Sequence, residues 1–296
     1  MKSWVVIFAA LPLGIVGAIL RAFELRDVYD SVTGLAVAGA PPFTLILAGL
    51  AGVAVGFALV AALFSKGGGR REKPGWEEDH AISRFFVIAG AMILVGSCVI
   101  DFAGFIKGTP SLTIAALMLL GVVAAVCLVV MVAPSAKENS TAKERSKLTR
   151  GALASAPLFW GCFWFLQLFS GNAMNPLMGT YFWEFIAALM ALLAFSQFAA
   201  AHFGKLRPAL MTFFLITGIF FTTLAAGGPL IARLLFDGQA LNDTVTGAGL
   251  LRLIFALVYM LAMPFILKRV EGLPDETPAA AEAEAAENVS EESENA

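Results

Sequence analysis

Eight apolar stretches, each about 20 residues long, dominate this sequence and leave it few ways to fold. They are Trp4–Phe23, Phe43–Phe64, Phe85–Ile106, Leu112–Ala133, Ala152–Phe169, Thr180–Ala201, Ala209–Ala226 with a continuation, and Ala248–Leu267. The second and fourth contain no charged residue. A hydrocarbon core of about 30 Å is crossed by about 20 residues of helix, because the rise is about 1.5 Å per residue. None of the stretches alternates with a period of two, which argues against a membrane β-barrel. Lipid offers no hydrogen-bond partners, so a spanning segment must satisfy its backbone internally, as a helix does. The expected fold is an all-α polytopic membrane bundle of about eight transmembrane helices. Lys2 and the apolar run after it resemble a signal peptide, but no clean small-x-small cleavage site follows, so the run reads as an uncleaved first helix.

Composition agrees. The chain is 59% hydrophobic and 14% charged, against roughly 25% charged for a soluble domain. Its net charge of −2 conceals an uneven distribution. Nine acids and no Lys or Arg lie between Glu271 and Ala296, leaving 20 basic residues against 13 acids in the body. The Ala/Glu-rich tail 271–296 has too little apolar surface to offset its ordering entropy and reads as disordered. Fifteen of the 20 basic residues fall on one side if the N-terminus, loops 65–84, 134–151 and 202–208, and the C-terminus share that side. The positive-inside rule then puts both termini in the cytoplasm, with the protein in the plasma (inner) membrane. The organisation expected is a first membrane half at 1–135, a basic cytoplasmic loop at 136–151, a second half at 152–270 and the acidic tail at 271–296.

The two halves carry traces of repetition. A shift of 145 residues sets Pro12-Leu13 on Pro157-Leu158 and Gly34 on Gly179. The turn Asp30-Ser31-Val32-Thr33-Gly34 is echoed by Asp243-Thr244-Val245-Thr246-Gly247. Asx-turn chemistry explains much of that echo; shared hairpin ancestry is the other reading, and parallel repeats occur in transporters. The stretch Tyr29-Asp30-Ser31-Val32-Thr33-Gly34-Leu35 resembles a turn found after the first span of uncharacterised multi-pass bacterial membrane proteins, with Ser31 where proline is commoner. That resemblance implies a layout and no activity.

Charges within spans cost roughly 2.5–3.5 kcal/mol each at mid-bilayer, so they need a reason. Arg21 and Glu24 close the first span, Asp101 lies near the end of the third and Glu184 near the start of the sixth. Arg233 follows Gly227-Gly228-Pro229, and Arg252 lies near the start of the eighth span. All six belong to one outer layer. Arg21, Asp101, Glu184, Arg233 and Arg252 form the candidate ligand site, in which the arginines grip an anion and the acids supply counter-charge. The competing reading is structural ion pairing with snorkelling to headgroups. Gly227, Gly228 and Pro229 predict a break or kink of the seventh span, a feature of transporter sites and equally of packed bundles.

Ala48, Gly52 and Gly56 recur every fourth residue and predict a helix–helix contact, with Ala10, Gly14 and Ala18 of the first span as the default partner and another protomer as the alternative. Phe163, Trp164, Phe165, Phe169, Phe182 and Trp183 read as an interfacial aromatic belt. Cys98, Cys127 and Cys162 are too dispersed for a metal knuckle and read as packing residues. His80 and His202 are the only histidines, and no zinc-protease motif or nucleophile elbow is present. No metal, no cofactor and no nucleic-acid partner is indicated, and no catalytic residue is nominated. The reading is a non-enzymatic scaffold, sensor or accessory subunit whose partner is the lipid bilayer. The alternative is a small-solute, possibly anion, transporter using the outer charged layer.

Overall fold

The computed structural model describes residues 9–30, 35–65, 81–108, 112–132, 140–172, 178–203, 207–236 and 246–266. Loop 66–80 and the acidic tail 271–296 lie outside the described residues. Among the described residues eight helices follow one another: α1 Ala10–Asp27, α2 Phe43–Ser65, α3 Ala81–Lys107, α4 Leu112–Val132, α5 Ser140–Asn172, α6 Met178–His202, α7 Pro208–Leu235 and α8 Gly247–Ile266. The protein is an all-helical, multi-pass membrane protein, and seven of the helices are long and apolar enough to cross a bilayer. The exception is α1, which carries Arg21, Glu24, Arg26 and Asp27 in its last seven residues. The first part of its expected span lies outside the described residues. A second difference concerns the segment 136–151. Expected as a basic loop, it is helical from Ser140 as the start of α5, because Ala, Lys, Glu, Arg and Leu there favour helix and no Gly or Pro interrupts them until Gly151.

Side-chain contacts give the direction of each helix. On α1, Gly14 faces Thr223 and Arg21 faces Gly228 of α7, so these two helices run parallel. Thr44 at the start of α2 meets Glu24 at the end of α1. Asp101 near the end of α3 meets Arg252 near the start of α8, and Gln167 near the end of α5 meets the same arginine. Trp183 of α6 stacks on Phe221 of α7, while Thr217 reaches back to Met190. Odd-numbered helices therefore run one way and even-numbered helices the other. Simple alternation brings the charged ends of α1, α3, α6, α7 and α8 to one end of the bundle.

At the centre stands α7, packed on α1, α2, α6 and α8. Some 78% of its membrane-length window is buried, against 22% for α2. A helix with so little exposed face must hide its own polar side chains. Thr217, Thr222 and Thr223 do so by donating to the carbonyls of Phe213, Gly218 and Ile219 one turn back, at 2.8, 2.6 and 2.7 Å. The exposed faces of the outer helices are apolar, as at Leu45, Val53, Leu63, Met92, Leu119 and Val126, which suits contact with lipid tails.

Contrary to the expected break, α7 runs as one helix through Gly227-Gly228-Pro229. The glycines serve close approach instead. A Cβ on Gly227 would lie 2.7 Å from that of Ala18, and one on Gly228 would collide with Arg21. The expected pairing of Ala48, Gly52 and Gly56 with α1 does not form. Gly14 of α1 faces α7, and a Cβ added at Gly49, Gly52 or Gly56 would meet no neighbouring helix within 4 Å. The aromatic belt also divides: Phe163, Phe169 and Phe182 are exposed, whereas Trp164 and Trp183 are buried.

These contacts set the cost of added methyl groups. Gly228→Ala should destabilise the protein by about 1–3 kcal/mol through overpacking, while Gly52→Ala should stay within about 0.5 kcal/mol. Reversible unfolding of the two variants in mixed detergent checks the contrast.

Candidate functional site

The polar groups at the charged end of the bundle assemble into two buried clusters. In the first, Arg21 and Glu24 lie one turn apart on α1 and pair at 2.5 Å, both almost fully buried. The second Glu24 oxygen accepts a hydrogen bond from Thr44 of α2 at 2.7 Å. The Arg21 guanidinium also sits 5.8 Å from the centre of the Tyr29 ring. Tyr29 begins a small hairpin, paired with Ala36 in antiparallel fashion and closed by Asp30 N–H to Leu35 carbonyl at 2.9 Å and Val37 N–H to Val28 carbonyl at 2.8 Å. The turn singled out in the sequence thus joins α1 to α2 beside this cluster; its residues 31–34 lie outside the described residues. Outside the buried pair, Arg26 binds Asp27 through both oxygens, at 2.6 and 2.8 Å.

The second cluster draws on four helices. Arg252 of α8 pairs with Asp101 of α3 at 2.5 Å and donates to Gln167 Oε1 of α5 at 2.7 Å. The arginine is 3% exposed. Glu184 of α6 is 7% exposed, and Arg252 is close enough for its charge to act on that carboxyl. Among the described residues, Glu184 makes no hydrogen bond or ion pair. Two buried donors near this level are also without partners: Arg252 Nε and, one turn along α5 from Gln167, the indole N–H of Trp164.

Deeper in the bundle the cluster gives way to aromatic packing. Trp160 stacks on Trp164 at 5.4 Å and meets Phe255 edge-on at 5.1 Å. Phe195 and Phe198 then pack on Tyr259, and Phe198 packs on His202 at the other end of α6. These stacked and edge-to-face contacts are the arrangements that aromatic rings favour.

Of the five residues nominated as one site, the structure brings Asp101, Glu184 and Arg252 together. Arg21 belongs to the other cluster with Glu24, and Arg233 is exposed at the surface of α7. Gly227 and Gly228 bear on α1 rather than on either set of counter-charges. Sequence reasoning missed Gln167 and Thr44. A glutamine within an apolar span is itself a signal, since its amide must find a partner in lipid; Thr44 offered none. Among the described residues no three His, Cys, Asp or Glu side chains gather as a metal set would require.

No family model, no curated protein and no solved structure matches this chain. The chemistry of the site must therefore be read from its own geometry. Arginine bound to a carboxylate and an amide ties three helices together, and such a pair holds its geometry well because the guanidinium is planar and rigid. It leaves the Nε edge of the guanidinium without an acceptor.

Removing one partner of a buried pair exposes the cost of the other. Glu24→Ala should destabilise by about 3–5 kcal/mol, because it breaks a buried ion pair. Thr44→Val should cost about 1–3 kcal/mol. Arg233→Ala, at an exposed position, should cost less than about 1 kcal/mol. Denaturant titrations of the three variants establish the order.

Proposed function

We propose that this protein is a non-enzymatic membrane scaffold or accessory subunit that works through helix contacts. One observation carries the reading. Arg21 and Arg252, the two arginines buried in the charged layer, are engaged by groups of the protein itself, Arg21 by Glu24 and Arg252 by Asp101 and Gln167. An anion gripping either guanidinium through its Nη groups would have to displace a partner already in place, in surroundings where stripping a buried pair costs about 3–5 kcal/mol.

Two further features support it. The face of α2 bearing Ala48, Gly52 and Gly56 is exposed and has open space above its glycines, so a partner helix could approach its backbone closely. In this reading the basic residues fix both termini in the cytoplasm of a bacterial-type plasma membrane. The resemblance of the Tyr29–Leu35 turn to that of other multi-pass bacterial proteins is consistent with such a location.

A thermal-shift screen of the purified full-length protein against small carboxylates, phosphates and sulfates discriminates between scaffold and transporter. A ligand at 100 times its Kd adds about 2.7 kcal/mol to the native state. The scaffold reading expects no anion to raise the melting temperature. A saturable rise that Arg252→Lys abolishes would establish the transporter instead.

A further inference from the structure

The two buried clusters differ in one respect. Arg21 and Glu24 satisfy each other, whereas the second cluster holds two carboxyl groups around a single guanidinium. Asp101 has the guanidinium through Nη2, and Gln167 has Nη1. Arg252 Nε is buried with no acceptor, and Glu184, on the neighbouring helix α6, is 7% exposed and feels the charge of that arginine. A buried carboxyl without a hydrogen bond is costly. Two changes remove that cost here: a proton on the carboxyl, or a turn of the arginine towards it.

We propose that Glu184 is a proton-binding site whose proton is exchanged against Arg252. With the proton on, Glu184 is neutral and Arg252 holds Asp101 and Gln167, the arrangement in this structure. With the proton off, the carboxylate takes the free Nε edge of Arg252, and the tie between α8 and α3 through Asp101 loosens. Only the O–H bond of Glu184 forms and breaks, and the proton passes to or from water at the charged end of the bundle. Arg252 is the shared element, and its fork of five N–H donors can serve both acids only by moving between them.

The surroundings single out Arg252 as the controlling charge. Packed against α6 are α5, α7 and α8. From α8 come Arg252 and, two turns further in, Tyr259. From the described side chains of α5 the ionisable ones are Cys162 and Arg150, and Arg150 lies towards the opposite end. From α7 there is Arg233, which is exposed. On α6 itself, Tyr181 lies one turn before Glu184 and His202 lies at the far end. Asp101 holds the Nη2 end of the same guanidinium. The inference goes beyond the scaffold reading, since either a scaffold or a transporter could carry it.

Infrared difference spectroscopy of the full-length protein in lipid nanodiscs, titrated with pH, tests it. The wild type should show a carboxylic-acid C=O band that grows as pH falls and vanishes as it rises, and Glu184→Gln should lack it. Asp101→Asn frees Arg252 for Glu184 and should weaken proton binding at Glu184 by at least about tenfold, the usual effect of a guanidinium on a carboxylate. If Glu184→Gln does not fold, Glu184→Asp should shift the frequency of the band. No titrating band in the wild type, a band unaffected by replacing Glu184, or a midpoint unmoved in Asp101→Asn would each overturn the proposal.

Discussion

Everything in this bundle leans on its most deeply buried helix. Helix α7 is enclosed by α1, α2, α6 and α8, so its surface must be small where neighbours press and self-satisfied where it is polar. Its threonines return their hydroxyl protons to their own helix. Its glycines let α1 settle against the backbone. In lipid, where apolar surface gains little from leaving one apolar medium for another, such close van der Waals approach is the main source of association. Arg21 can be buried because Gly228 gives its stem room, and Glu24 and Thr44 then complete the cluster on α1 and α2.

Burying charge in a membrane is unfavourable by roughly 2.5–3.5 kcal/mol per group at the bilayer centre. That cost is reduced here in two ways. The charged groups lie within about two turns of the helix ends, and most are paired. Pairing makes them strong ties, since separating such a pair costs about 3–5 kcal/mol. The Arg252 cluster links α3, α5 and α8 and lies beside α6, which makes it the natural place for a proton to change how the helices are held. Glu184 breaks the pattern of satisfied partners, and among the described residues its neighbour Arg252 is the arginine with an open, buried edge.

Much of this was legible in the sequence, and the reasons differ by feature. The eight helices follow from the length of the apolar stretches, because lipid permits no other backbone. The common level of the charges follows from their distance to span ends together with up-and-down alternation. The pairing was not legible, because it depends on which helices are neighbours. Asp101 meets Arg252 through α3 packing on α8, five helices away in sequence, and periodicity does not specify that choice. Gly227-Gly228-Pro229 misled for a related reason: taken alone it reads as a weak point, and only α1 lying alongside turns it into a packing surface. Trp164 and Trp183 were assigned to the membrane surface from their type, whereas the side of the helix they occupy turns them inward.

The central claim is that the charged layer is internal structure, with Arg252 and Asp101 as its principal tie. Exchanging the two charges tests it most directly. Asp101→Arg and Arg252→Asp should each lower the melting temperature sharply in nanodiscs, and the double exchange should recover a large part of the loss, with a coupling of about 0.5–3 kcal/mol. A double variant no more stable than the sum of the two single losses would contradict the account.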